Sequence, residues 1–169
     1  MAATGVAVRV YRERIAELAA NLPAAPARTN MYIHSFSVGE MGWERVGGVR
    51  VPVPPPDSAT NIIANIAYDQ PCSSEPDPPL AQGLRYNQVL DPSEVDGTQP
   101  GIVTVTCTLP PTSIELDGTS KLDGNCDQDP KFFELGIFNA NNDMIVYATF
   151  DEVVKQTGVS LEFTVEITY

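Results

Sequence analysis

Residues 159–169 alternate without a break: Val159, Leu161, Phe163, Val165, Ile167 and Tyr169 against Ser160, Glu162, Thr164, Glu166 and Thr168. Successive side chains of a strand point to opposite faces, so this pattern has one regular geometry, a strand with an apolar face and a wet face. The apolar row needs a second layer to lie against, which commits the chain to a β core. Because the alternation runs to the last residue, the carboxyl terminus is expected to be tied into a sheet.

The same period recurs upstream. Val103, Val105, Cys107 and Leu109 alternate with Thr104, Thr106 and Thr108 before Pro110-Pro111 ends the run. Lys131 to Phe138 and Met144 to Phe150 flank Asn139-Ala140-Asn141-Asn142-Asp143, residues that tolerate the left-handed conformation, so the three pieces read as a hairpin. Met31 to Gly39 reads as a further strand, broken by Gly39-Glu40-Met41-Gly42-Trp43, and Leu84 to Leu90 as another. Residues 51–60 carry Pro52, Pro54, Pro55 and Pro56. Proline donates no ladder hydrogen bond, so this segment is an extended crossing and not a central strand. Asn61 to Tyr68 fits a short helix or a short strand, and Pro71, Pro76, Pro78 and Pro79 make residues 69–81 a second loop.

The amino-terminal segment has a different period. Val8, Tyr11, Ile15, Leu18 and Leu22 are spaced for one face of a helix over residues 6–22. Thr4 would cap it, Pro23 and Pro26 would stop it, and Arg9 and Glu13 would pair on its wet side. Its single apolar stripe would lie on the chain's own sheet or on a neighbouring subunit. The expected fold is therefore mainly β: an antiparallel sheet or sandwich with one amino-terminal amphipathic helix and long Pro-rich loops. At 169 residues one domain (1–169) is expected, with residues 1–28 as helix and linker and 51–81 as a Pro-rich region within it.

The formal charge of −12 is unevenly placed. Residues 1–50 hold six Arg and four Glu, whereas residues 51–169 hold Arg85, Lys121, Lys131 and Lys155 against 18 acids. A protein that displaces counterions from phosphates needs a basic face, so nucleic acid and anionic membranes are disfavoured partners. No apolar stretch reaches the ~20 residues that span a bilayer, and the charges within residues 6–22 exclude a secretory h-region there. Cys72, Cys107 and Cys126 form no CxxC pair, which favours small buried or loop thiols in a reducing cytoplasm over a disulfide framework.

The chemistry-bearing residues are few. His34 is the sole histidine and sits in a strand pattern, where a structural role is expected. No nucleophile elbow, HExxH, P-loop or GxGxxG segment is present. No enzyme activity and no cofactor is expected; a carboxylate-only hydrolase is the residual catalytic reading, since two acids distant in sequence can meet in space. Asp123, Asn125, Asp127, Asp129 and Glu134 follow the oxygen spacing of an EF-hand loop. Gln128 stands where that loop needs glycine, and Pro130 and a strand follow instead of a helix. An acidic surface loop explains the same residues, and no metal site is assigned. Trp43, the sole tryptophan, is either an interface anchor on its glycine turn or a ring folded back over the end of the sheet.

The run from Phe132-Phe133-Glu134-Leu135-Gly136-Ile137-Phe138-Asn139 through Ala140-Asn141-Asn142-Asp143-Met144 to Phe150 resembles the hairpin near the end of bacteriophage tail-collar fibre amino-terminal modules. In that family an amphipathic helix opens the module, a strand with a Gly-rich turn follows, and an alternating strand closes it. Residues 6–22, 31–43 and 159–169 match this order. The chain departs by placing Asn142 at the usual turn glycine and by inserting the Pro-rich residues 51–81. The resemblance implies a structural virion protein of a tailed bacteriophage, a baseplate or tail-fibre attachment adaptor, trimeric or built into a ring. It also implies assembly in the host cytoplasm and contacts to other tail, baseplate or fibre proteins. With nothing after Tyr169, a stand-alone adaptor without shaft or tip is expected. Arg9, Arg12 and Arg14, with Trp43, are the candidate partner contacts, the arginines facing an acidic sheet of a neighbour. The alternative is a carbohydrate- or receptor-binding β-sandwich module of the tail, with Trp43, Tyr68 and Tyr86 as stacking platforms.

Overall fold

The computed structural model describes residues 3–9, 11–13, 32–63, 85–111, 115–116, 120–121, 131–156 and 158–168. In chain order the strands are β1 (Ala3–Ala7), β2 (Ile33–Gly39), β3 (Trp43–Val46), β4 (Val49–Pro52), β5 (Arg85–Val89), β6 (Val95–Asp96) and β7 (Ile102–Leu109). There follow β8 (Glu115–Leu116), β9 (Ser120–Lys121), β10 (Lys131–Asn139), β11 (Met144–Val154) and β12 (Leu161–Thr168). A 3-10 turn at Pro92–Glu94, capped by Asp91, leads into β6. The fold is mainly β and its sheets are antiparallel, as the alternation predicts.

One sheet has the order β1-β11-β10-β2-β5 and another β12-β7-β6. Strand β12 pairs with β7 from Leu161↔Leu109 to Thr168↔Ile102 without a register shift. Unbroken alternation on both strands fixes this register, because a slip by one residue would turn every apolar side chain outward. Phe163, Ile167, Val105, Cys107 and Leu109 are all buried in the same cluster as Phe36, Val38, Leu135, Ile137 and Phe150 of the larger sheet. The Phe150 and Phe163 rings, 5.2 Å apart and tilted by 40°, join the two sheets. Cys107 lies in this core, and burial, with a smaller contribution from Glu94, pushes its thiol up to about 12. It is an inert core thiol, as expected; Cys72 and Cys126 lie outside the described residues.

The amino terminus departs from the sequence reading. Residues 3–7, expected to cap and begin a helix, form β1 and pair with β11 from Ala3↔Phe150 to Ala7↔Val146. Gly5 and Val6 are poor helix formers, and β11 presents an edge whose N–H and C=O groups need partners, so sheet pairing prevails over helical propensity. Helical backbone starts only after this strand: residues 9 and 11–13 are helical, with the Arg12 N–H donating to the Val8 carbonyl at 3.3 Å. Val8 and Tyr11, the first two members of the predicted stripe, are buried. Ile15, Leu18 and Leu22 lie outside the described residues, as do residues 64–84 with Tyr68, and Tyr169.

The hairpin of β10 and β11 closes as its Asn-rich turn predicts. Asn142 takes the left-handed conformation, at φ 62°, as the Asn-rich turn allows. The Asn139 side chain holds the turn from beneath: its Oδ1 accepts from the Asn141 and Asp143 N–H groups, both at 2.9 Å, and its amide donates to Asp143 at 3.1 Å. A separate ribbon of β3 and β4 turns through Gly47 and Gly48, both at positive φ. Pro52 sits at the end of that ribbon, opposite Trp43, where its missing N–H interrupts no central ladder.

Candidate functional site

Alternation divides the larger sheet into two faces. One carries Leu135, Ile137, Val146 and Phe150 into the shared core. The other carries Glu134 and Gly136 opposite Thr149 and Tyr147. The segment from Gly42 to Ile63 passes over this second face, and four of its residues are seated there by named contacts.

Glu134 is 0% exposed, an unusual position for a carboxyl group, and it is tolerated because partners are supplied. Its Oε2 accepts the Tyr147 hydroxyl at 2.7 Å and the backbone N–H of Ile63 at 2.8 Å. Burial first, and the Glu134 charge second, push the Tyr147 hydroxyl above its ordinary range, so that Tyr147 serves as donor. Two residues along, Gly136 leaves a hole for Ile62, which is buried: a Cβ at position 136 would lie 2.9 Å from Ile62 Cγ2. Gly42, at φ 88°, lies against the stem of Glu134, where a Cβ would come within 2.9 Å of the Glu134 Cβ. Thr149 completes the row by donating to the Val53 carbonyl at 2.8 Å. The face thus reads an extended chain through one backbone N–H, one carbonyl and one apolar side chain. That is the chemistry of peptide recognition turned on the protein's own strap.

The sequence-derived contact residues fall in two places. Arg9 is exposed and pairs with Glu13 at 3.7 Å, as its spacing predicts. Its backbone N–H donates to the Asp57 carbonyl at 2.7 Å, and Arg12 reaches the Asp57 carboxylate at 3.1 Å. Arg9 and Arg12 therefore meet the Pro-rich strap of their own chain; Arg14 lies outside the described residues. Trp43 is 3% exposed and adopts the folded-back position, 5.8 Å from the Phe133 ring, with its indole N–H on the Glu40 carbonyl at 2.8 Å. Arg50 covers both rings, 4.5 Å from that of Trp43 and 5.4 Å from that of Phe133, and it also meets Glu152 at 3.3 Å.

Other chemistry candidates resolve as follows. Glu134, which would close the EF-hand-like spacing, points into the sheet face and is held by Tyr147 and Ile63; residues 123–130 lie outside the described residues. Among the described residues no group of His, Cys, Asp or Glu is placed to hold a metal ion, and no helix is long and apolar enough to cross a membrane. His34 lies beside a groove of about 500 Å³ that also takes in Ser37, Asn61, Asn87, Phe138 and Asn142. Periodicity did not reveal this groove, because its members come from four separate segments.

No protein-family model matches the chain, and no curated protein or solved structure matches it.

Proposed function

We propose that this chain is a structural virion protein of a tailed bacteriophage, a baseplate or tail-fibre attachment adaptor that works through multivalent protein–protein contacts and without catalysis. The observation that carries the reading is the β10–β11 hairpin. Glu134 and Gly136, the positions on which the resemblance to tail-collar fibre modules rests, are the two that seat the strap at Ile62 and Ile63. The motif thus has a physical reason in this chain: it holds an extended segment against a sheet. Partners are other tail, baseplate or fibre proteins and further copies of the chain, in a trimer or ring, within virions assembled in the host bacterial cytoplasm. Many copies held at high effective concentration would make weak single contacts sufficient. The amphipathic continuation of residues 8–22, with Arg9, Arg12 and Arg14, is assigned to a neighbour's acidic surface.

Mass spectrometry of purified particles, with copy number, followed by imaging of the tail end, tests this. A copy number matching a ring or trimer multiple is expected, and absence from particles defeats the reading. Salt-dependent release from the particle is the expected mark of the arginine contact. A second reading, a carbohydrate- or receptor-binding module, is favoured by the polar groove at Asn61 and Asn87. Trp43 does not serve it as a stacking platform, since its ring is turned inward.

A further inference from the structure

The groove beside the strap is built by four elements. Ser37 and Asn87, opposite each other on β2 and β5, belong to the same face as Gly136. Asn61 contributes from the end of the strap, and Phe138 with Asn142 from the β10–β11 hairpin and its turn. The volume, about 500 Å³, falls within the range of small-molecule sites.

Two of its side-chain amides are oriented by the protein itself. Asn61 Oδ1 accepts the backbone N–H of Ile62 at 2.9 Å, and Asn87 Oδ1 accepts the Ser37 hydroxyl. With each oxygen held by a donor of the protein, each amide is oriented and offers its NH2 group, so the groove presents oriented donors for oxygen acceptors. Anions are poor candidates: the lining holds no Lys or Arg, and the chain carries −12. An acceptor-rich but uncharged ligand remains. Val89, 60% exposed at the same groove, and Ala140 add apolar surface of the kind that meets the C–H face of a sugar ring.

From this geometry we infer that the groove is a binding site for a neutral saccharide, with the Asn61 and Asn87 amides donating to its hydroxyl or N-acetyl oxygens and Val89 packing on the ring. Asn87 is exposed and Asn61 half-exposed, so a ligand reaches both without rearrangement of the core. The inference does not depend on the assembly reading.

The test uses the full chain, labelled with 15N and titrated with glucose, galactose, N-acetylglucosamine, maltose and cellobiose up to tens of millimolar, and separately with sodium sulfate. The side-chain NH2 signals of Asn61 and Asn87 are expected to shift together and saturate with at least one sugar, and not to respond to sulfate. Asn61→Asp and Asn87→Asp each keep the oxygen that the protein holds and delete the NH2 donor. Each should weaken sugar binding by roughly tenfold while the melting temperature stays near that of the parent. No response to any of the five sugars, a stronger response to sulfate, or undiminished binding by both Asp variants overturns the site. The particle experiment does not touch this result, and failure here leaves the particle experiment as it stands.

Discussion

Substituting Gly136 by alanine tests the strap dock most directly. An ideal Cβ there lies 2.9 Å from Ile62 Cγ2, 2.9 Å from Phe138 Cε2 and 3.0 Å from Phe138 Cζ. Carbon atoms rest at ~3.5–4.0 Å, so the side chains around position 136 must retreat by roughly half an ångström or more. Neither has much room, since Ile62 is 2% and Phe138 2% exposed. Overpacking of this kind costs about 1–3 kcal/mol. Ile62→Ala alone removes a buried side chain at about 2–5 kcal/mol. If the clash with Ile62 is the reason Gly136 is required, the two losses are not additive: a truncated residue 62 makes room for the new methyl. The double variant should then be more stable than the sum of the single losses by about 1–2 kcal/mol. Urea unfolding of the four proteins at one pH, with m-values compared, measures this cycle. Losses that add within about 0.5 kcal/mol would refute the account, because they would mean that Ile62 does not occupy the space over Gly136.

The same dock predicts that Tyr147→Phe, which removes one donor to Glu134, costs about 1 kcal/mol in thermal or urea melts. Glu134→Leu, which strands both the Tyr147 hydroxyl and the Ile63 N–H, should cost about 2–5 kcal/mol; equal losses would contradict the shared-acceptor geometry. At the turn, Asn142→Gly should be near neutral and Asn142→Val should cost about 1–2 kcal/mol, because φ is 62°; identical melting temperatures would remove the conformational argument. Cys107 sets an alkaline limit. Its thiol is raised from 9.0 to about 12 in the folded state, so above pH 9 the unfolded chain loses a proton that the folded chain keeps. The contribution is whole below pH 9 and is lost as pH rises toward 12, at about 1.4 kcal/mol per pH unit. Tyr86 and Tyr147, also raised, add their own loss only above their ordinary value of 10.0, which among the described residues leaves pH 9–10 to the Cys107 thiol. Stability of Cys107→Val should therefore be flatter than the parent across that window, and parallel curves would exclude the mechanism.

The features that could be read in advance are those whose cause is local. Strands β7 and β12 were legible because both alternate over their whole length, and each pattern needs the other to bury Phe163 and Cys107. The β10–β11 hairpin was legible because its turn residues tolerate the conformation that Asn142 adopts. The ribbon of β3 and β4 has a local signal too, the pair Gly47-Gly48 between β-prone residues, but alternation does not register a two-residue turn. Strand β1 has no such signal: Ala3-Thr4-Gly5-Val6-Ala7 is extended because β11 offers it an edge. The dock is the extreme case, since Glu134 and Ile63 are 71 positions apart. The resemblance marked one half of it, the Glu-Leu-Gly segment, while the half that explains those residues lay at the start of Asn61 to Tyr68, a stretch between two proline runs that fits a short helix or a short strand equally well.

That pairing also changes what the charge asymmetry implies. The sequence sets an arginine-bearing amino-terminal segment against an acidic remainder, and the fold brings the two together within one chain, Arg12 on Asp57. Both side chains stay about half exposed, and exposed pairs of this kind contribute ~0–1 kcal/mol. Such a contact holds the strap weakly at its middle, whereas Glu134 holds its end through a buried carboxyl group. A neighbour's acidic surface would displace Asp57 from Arg12 at small cost and leave the Ile62–Ile63 anchor in place. Under the proposed assembly, Arg12 would exchange Asp57 for a neighbour's carboxylate, and the dock at Gly136 is the part of the strap that such an exchange would leave unchanged.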